Sequence, residues 1–154
     1  MFRGDGRCLF RALVRGKQLQ TSPNSHSPAD ETAMSDALRK EVVAELRKRR
    51  SEIEWAIEGD FETYCRSMEL PGTWGGEPEL LMASRCMNTD IDVFVIRQPA
   101  VKGRGPDVVR VQQYQGHHDG DGDTSSSTNV SGGRPVEILL DHGHYSTLQR
   151  RSRL

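Results

Sequence analysis

The feature that most constrains the fold is a change of hydrophobic period near residue 90. Before it, apolar residues recur every three or four positions; from Ile91 they run together or alternate. Met34, Leu38, Val42 and Leu46 repeat at helical spacing, with Ala37, Val43 and Ala44 widening the stripe. Arg39, Lys40, Glu41, Glu45, Arg47 and Lys48 fall on the other, solvent-facing side. Asp30 reads as the N-cap of this helix, which ends near Arg50. Ile53, Trp55, Ile57, Phe61, Tyr64 and Met68 predict one or two short helices broken near Gly59-Asp60, and Pro71-Gly72 closes that region. A further helix spans Glu77 to Asn88, with Pro78 in its first turn, where a missing N–H costs nothing. Strands follow at 91–96, 108–114, 136–140 and 144–148, the first two joined by a loop from Pro99 to Pro106. The order predicts an α+β domain, with helices packed around a small central β-sheet.

At 154 residues, the chain suits one domain over 1–154. Only 34% of residues are hydrophobic, so part of the chain is expected to be loop. The candidates are a flexible loop at 17–29, a low-complexity insertion at 115–133, and a frayed basic tail at 149–154. Within the insertion, Asp119, Asp121 and Asp123 alternate as in a calcium loop. Thr124 stands where the required glycine belongs, however, and Val130 replaces the bidentate glutamate. Nothing fixes a metal geometry at His117-His118, so no metal or cofactor is expected. A net charge of −1 selects for neither nucleic acid nor an anionic membrane. The cluster Arg47-Lys48-Arg49-Arg50 reads as a solvated helix end, with a nuclear-localisation or phosphate patch as the alternative. No apolar run is long enough to span a bilayer, and the N-terminus does not resemble a signal peptide. Three cysteines without a CxxC pair suit a reducing compartment, cytoplasm or nucleus; Cys65 and Cys86 read as small core residues.

Cys8 carries the chemistry. It begins an apolar run, Leu9, Phe10, Ala12 and Leu13, that reads as a short buried helix. A helix start offers unpaired N–H groups and partial positive charge, which favour the nucleophilic thiolate. The same donors, with those of the Gly4-Asp5-Gly6-Arg7 turn, suit the oxyanion of an attacked carbonyl. A base is available in Gly143-His144-Tyr145-Ser146, at the start of the last strand. Strand alternation would point His142 and His144 to the same face, so periodicity does not choose between them.

Three segments, Asp5-Gly-Arg-Cys8-Leu-Phe-Arg, Gly72-Thr-Trp74-Gly75-Gly76-Glu-Pro-Glu79-Leu80 and His144-Tyr-Ser, resemble in order the ovarian-tumour (OTU) family of cysteine proteases. Members of that family cleave ubiquitin from proteins. The resemblance implies a papain-like fold of OTU type, with the site between an early helix and a late strand. It implies Cys8 as nucleophile and His144, followed by an aromatic, as base. Gly6, Arg7 and Cys8 would supply backbone oxyanion donors. Tyr145 would help form the channel for ubiquitin's two C-terminal glycines, and Trp74 and Gly75 would shape it, although Trp74 reads equally as a packing plug. The family often has Asn or Asp two positions after its histidine, where this chain has Ser146; the candidates for third member are Asp5, then Ser146, then Asp141. The expected activity is a ubiquitinyl hydrolase acting through a Cys8 thioester, with ubiquitin or polyubiquitin as partner. The alternatives are a non-catalytic ubiquitin-binding module, against which retention of both Cys8 and His144 speaks, and a protease for a ubiquitin-like modifier. Family members usually carry some chain ahead of this motif, which here starts close to Met1.

Overall fold

A computed structural model describes residues 5–24, 27–116 and 133–149. The helices come first: α1 (Cys8–Thr21), α2 (Pro28–Lys48), α3 (Arg50–Ile53), a 3-10 turn (Glu54–Ala56), α4 (Phe61–Met68) and α5 (Glu77–Cys86). Four strands follow, β1 (Ile91–Arg97), β2 (Asp107–Tyr114), β3 (Val136–Asp141) and β4 (His144–Thr147), in the sheet order β2-β1-β3-β4. β1 pairs antiparallel with β2 and parallel with β3, and β3 pairs antiparallel with β4.

The core gathers around α1. Leu9, Phe10 and Leu13 are fully buried, with α2 on one side and β3 and β4 on the other. Gly16 lets the helix approach the sheet: a Cβ there would lie 2.6 Å from Val136 Cγ1. Asp90, just before β1, ties the sheet together at one end. Its carboxylate accepts from the Gly116 N–H (2.8 Å) and its carbonyl from the Val136 N–H (2.8 Å).

Several expectations need correction. The loop at 17–29 is shorter, because α1 continues through Lys17–Thr21 and α2 already starts at Pro28. Proline's fixed φ suits a first helical position, so Pro28 begins a helix rather than preventing one; Ser27, not Asp30, flanks it. The buried stripe of α2 is Ser35, Leu38, Arg39, Val42, Val43 and Leu46. Met34 is 46% exposed, and Arg39, assigned to the solvent side from its charge, is 1% exposed. Trp55, in the 3-10 turn, is 84% exposed. α5 stops at Cys86, and Asn88 follows with φ +47°. Arg47 pairs with Glu62 and Glu69, Arg49 with Glu45, and Arg50 with Glu54, so the basic cluster is a salt-bridged surface of α2, α3 and α4. The calcium-like run and the His117-His118 pair lie outside the described residues, as does the tail from Arg150. No helix among the described residues is long and apolar enough to cross a membrane.

Candidate active site

The turn ahead of Cys8 is held from three directions. Gly6 sits at φ +76°, and a Cβ there would lie 2.4 Å from the Gly72 carbonyl carbon and 2.6 Å from the Pro71 oxygen. Only glycine fits that approach. Arg7 is pinned to α2 by a fork, Nε to Asp36 Oδ1 at 2.8 Å and Nη2 to Oδ2 at 3.2 Å. That hydrogen-bonded pairing holds the Asp36 carboxyl below the usual range. The Gly6 carbonyl accepts from Arg39 Nη2 at 2.7 Å. Asp5 closes the turn: Oδ1 accepts from the Arg7 N–H (3.1 Å) and Oδ2 from Arg11 Nη2 (2.8 Å). Burial works to raise the Asp5 carboxyl, but the Arg7 N–H and the two guanidiniums outweigh it, and its pKa falls. Of the three expected oxyanion donors, the Arg7 N–H is therefore occupied by Asp5. Cys8 is buried as the first residue of α1, and its own N–H has no intrahelical partner.

The Trp74 segment forms the facing wall. Gly75 packs on α1 so closely that a Cβ would lie 2.6 Å from Leu9 Cδ2. Glu79, fully buried in the first turn of α5, accepts from the Gly76 N–H (2.7 Å) and from the Tyr64 hydroxyl (2.6 Å). Burial pushes the Glu79 carboxyl up, against the pull of those two donors. Trp74 itself is 50% exposed, so it is not a buried plug.

The third wall is β4. Its hairpin to β3 is a two-residue turn, His142-Gly143, with φ +49° and +78°, the signs a type I′ turn requires. His142 is thus at the turn tip rather than on a strand, and its Nδ1 lies 2.7 Å from Asp141 Oδ1. Asp141 is engaged there. Tyr145 and Thr147 face α1: Tyr145 packs on the core, and the Thr147 hydroxyl donates to the Ala12 carbonyl (3.0 Å). By the two-residue period His144 and Ser146 share the other side of β4. His144 is exposed, and no hydrogen bond joins it to Cys8 among the described residues. Tyr145 is half buried, and its phenol pKa is raised first by that burial and then by the nearby Cys8, Glu77 and Glu79. Gly6 lies against Pro71-Gly72, Gly75 against Leu9, and Thr147 against Ala12, so segments from residues 5–8, 72–79 and 144–147 converge on the start of α1.

That convergence matches what the chain is similar to. The family description "OTU-like cysteine protease" fits residues 3–131. The chain belongs to the OTU-like cysteine protease family. An Arabidopsis thaliana relative, ovarian tumor domain-containing deubiquitinating enzyme 4, is 44% identical over 92 residues, covering 60% of this chain and 29% of the relative. Deubiquitinating enzyme 3 of the same plant is 31% identical over 161 residues, covering 96% of this chain and 65% of the relative. The chain thus spans less than two thirds of the length of these relatives. Among solved structures, the Hazara virus OTU bound to ubiquitin superposes with a TM-score of 0.63 at 17% identity, covering 97% of this chain and 78% of that one. The α+β OTU fold is shared.

In this OTU domain, sequence reasoning missed Asp36 and Arg39, which hold the turn, and the Tyr64–Glu79 pair, which holds Gly76 in the facing wall. Arg39 was legible in principle. It lies one residue after Leu38 and three before Val42, the middle of the apolar stripe, and a cation in that position needs polar partners inside.

Proposed function

We propose that this OTU domain is a thiol-dependent deubiquitinase, hydrolysing the peptide or isopeptide bond after the C-terminal glycine of ubiquitin. The observation that carries the reading is that the Trp74 segment and β4 both pack on the helix that Cys8 begins, Gly75 against Leu9 and the Thr147 hydroxyl on the Ala12 carbonyl. The Arabidopsis relatives are named deubiquitinating enzymes, and the Hazara virus OTU was solved with ubiquitin bound. In the proposed reaction the Cys8 thiolate attacks the glycine carbonyl carbon, and the oxygen takes the negative charge facing the N–H groups of Cys8 and Gly6. Collapse expels the amine, which takes a proton from His144. Water, deprotonated by His144, then cleaves the thioester and frees the Cys8 sulfur. Each oxyanion donor is worth ~10²–10³ in rate. Tyr145, with Trp74 and Gly75, lines the approach for the substrate's terminal glycines.

Ser146 is the better-supported third member. It shares a side of β4 with His144, whereas the Asp5 carboxylate serves Arg7 and Arg11 and the Asp141 carboxylate serves His142. The domain would act in a reducing cytoplasm or nucleus, where an unblocked Cys8 persists. A second reading, a ubiquitin-binding module without turnover, draws on the exposure of His144 and its lack of a bond to Cys8. Hydrolysis of a fluorogenic ubiquitin C-terminal substrate by wild type, Cys8→Ala and His144→Ala separates the two. Turnover by wild type alone is expected; folded wild type that binds ubiquitin without turnover would favour the module. A panel of ubiquitin-like substrates tests for a different modifier.

A further inference from the structure

Arg39 has no part in the reaction written above, yet it is the largest fully buried side chain among the described residues. Its guanidinium stacks 4.4 Å from the Phe10 ring centroid and donates to four backbone carbonyls. Nη1 reaches Met68 O and Thr73 O (both 3.0 Å); Nη2 reaches Pro71 O (3.0 Å) and Gly6 O (2.7 Å). The Gly6 carbonyl and the Arg7 N–H are two ends of one peptide unit. Arg39 holds one end and Asp5 the other. Glycine at φ +76° gives that unit little intrinsic resistance to rotation. Rotation would break both bonds and loosen the turn between the Gly6 and Cys8 N–H groups, the two donors left for the oxyanion. The other three carbonyls belong to the segment leading into Trp74.

We propose that Arg39 is a positioning residue for catalysis: a single buried guanidinium that fixes the Gly6–Arg7 peptide inward and sets the Trp74 segment at a constant distance from it. It touches no substrate; it acts through the orientation of the oxyanion turn. This inference rests on the hydrolase reading. A lysine in its place keeps the charge but cannot fork to carbonyls on both segments.

The test uses the full chain and a fluorogenic ubiquitin C-terminal substrate. R39K is expected to lower kcat about ten- to hundredfold, the scale of one misplaced oxyanion donor, with little change in KM. The rate of Cys8 alkylation by iodoacetamide should stay within about twofold of wild type, because the thiol and the helix start are untouched. Folded R39K with wild-type kcat would overturn the proposal, as would a loss confined to KM or matched by slower alkylation. If R39K does not fold, R39Q, which buries no charge, carries the same expectation. Wild type supplies an arm that needs no substitution: the Arg39 guanidinium protons should remain protected from solvent exchange after Cys8 is capped by an electrophilic ubiquitin probe. Loss of that protection would also overturn the proposal. Absence of turnover by wild type would instead sink the hydrolase reading, a different failure.

Discussion

Replacing Gly6 with alanine should damage stability and turnover together, and the structure says by how much. At φ +76°, a residue with a Cβ is strained by about 1–2 kcal/mol. The new Cβ would sit 2.4 Å from the Gly72 carbonyl carbon. Ordinary carbon contacts lie at ~3.5–4.0 Å, so one strand of backbone must retreat by about 1 Å. Overpacking of this kind costs about 1–3 kcal/mol. Backbone cannot rotate aside as a side chain can, and Arg39 ties both segments to α2. The total is about 2–5 kcal/mol, against a domain stability of roughly 5–15 kcal/mol. The midpoint of thermal unfolding should fall on the order of 10 °C. An ångström of displacement at the oxyanion turn should lower kcat on the order of 10²-fold. Gly72→Ala is the matched control, since a Cβ there meets nothing within 4 Å, and it should stay within about 0.5 kcal/mol of wild type. Circular dichroism melts and kcat for both variants decide the matter. Gly6→Ala melting within about 2 °C of wild type, or both variants falling equally, would refute the account of the turn as a contact-limited structure.

Three other outcomes are expected. Tyr64→Phe removes one donor from the buried Glu79 carboxylate and should cost about 1.5–3 kcal/mol in urea unfolding; an unchanged midpoint and slope would show that Glu79 does not depend on it. Asp5 and Asp36 both have folded pKa values below the ordinary 3.8, so their stabilisation is complete above that value and is lost as pH falls through the lower folded ones. Stability against pH should therefore bend downward below about pH 4, and Asp36→Asn should flatten the bend; an identical acid limb in the variant would assign it to other groups. If Ser146 orients His144, Ser146→Asn should raise kcat about three- to tenfold, roughly 1 kcal/mol of added transition-state stabilisation, whereas a fall would return Asp5 to the third place.

The strands and helices were legible because each buries one side, and burial leaves a period. The Ser and Pro density of residues 17–29 reads as loop but hides Lys17-Gln18-Leu19-Gln20, mostly good helix formers that extend α1. The helix that starts at Cys8 could be read from local pattern, whereas Tyr145 and Trp74 stood out only through the resemblance of their segments to the family. Arg39 could not be assigned from charge alone, since its burial depends on four carbonyls up to 34 residues away in sequence. His142 was misplaced for a related reason: alternation holds only within a strand, and the turn occupies two residues, so His142 left the strand altogether. Asp36 and Glu79 answer to partners on other elements, Arg7 and Tyr64, which no window of sequence contains.

Asp90 concentrates the order of the sheet in one residue. By holding Gly116 with its side chain and Val136 with its backbone, it staples both ends of the intervening chain to one point. The pairing of β1 with β3 begins at that staple, with Ile91 opposite Val136. Displacing Asp90 would therefore release the end of β2 and the start of β3 together, and with them the hairpin whose second strand begins at His144.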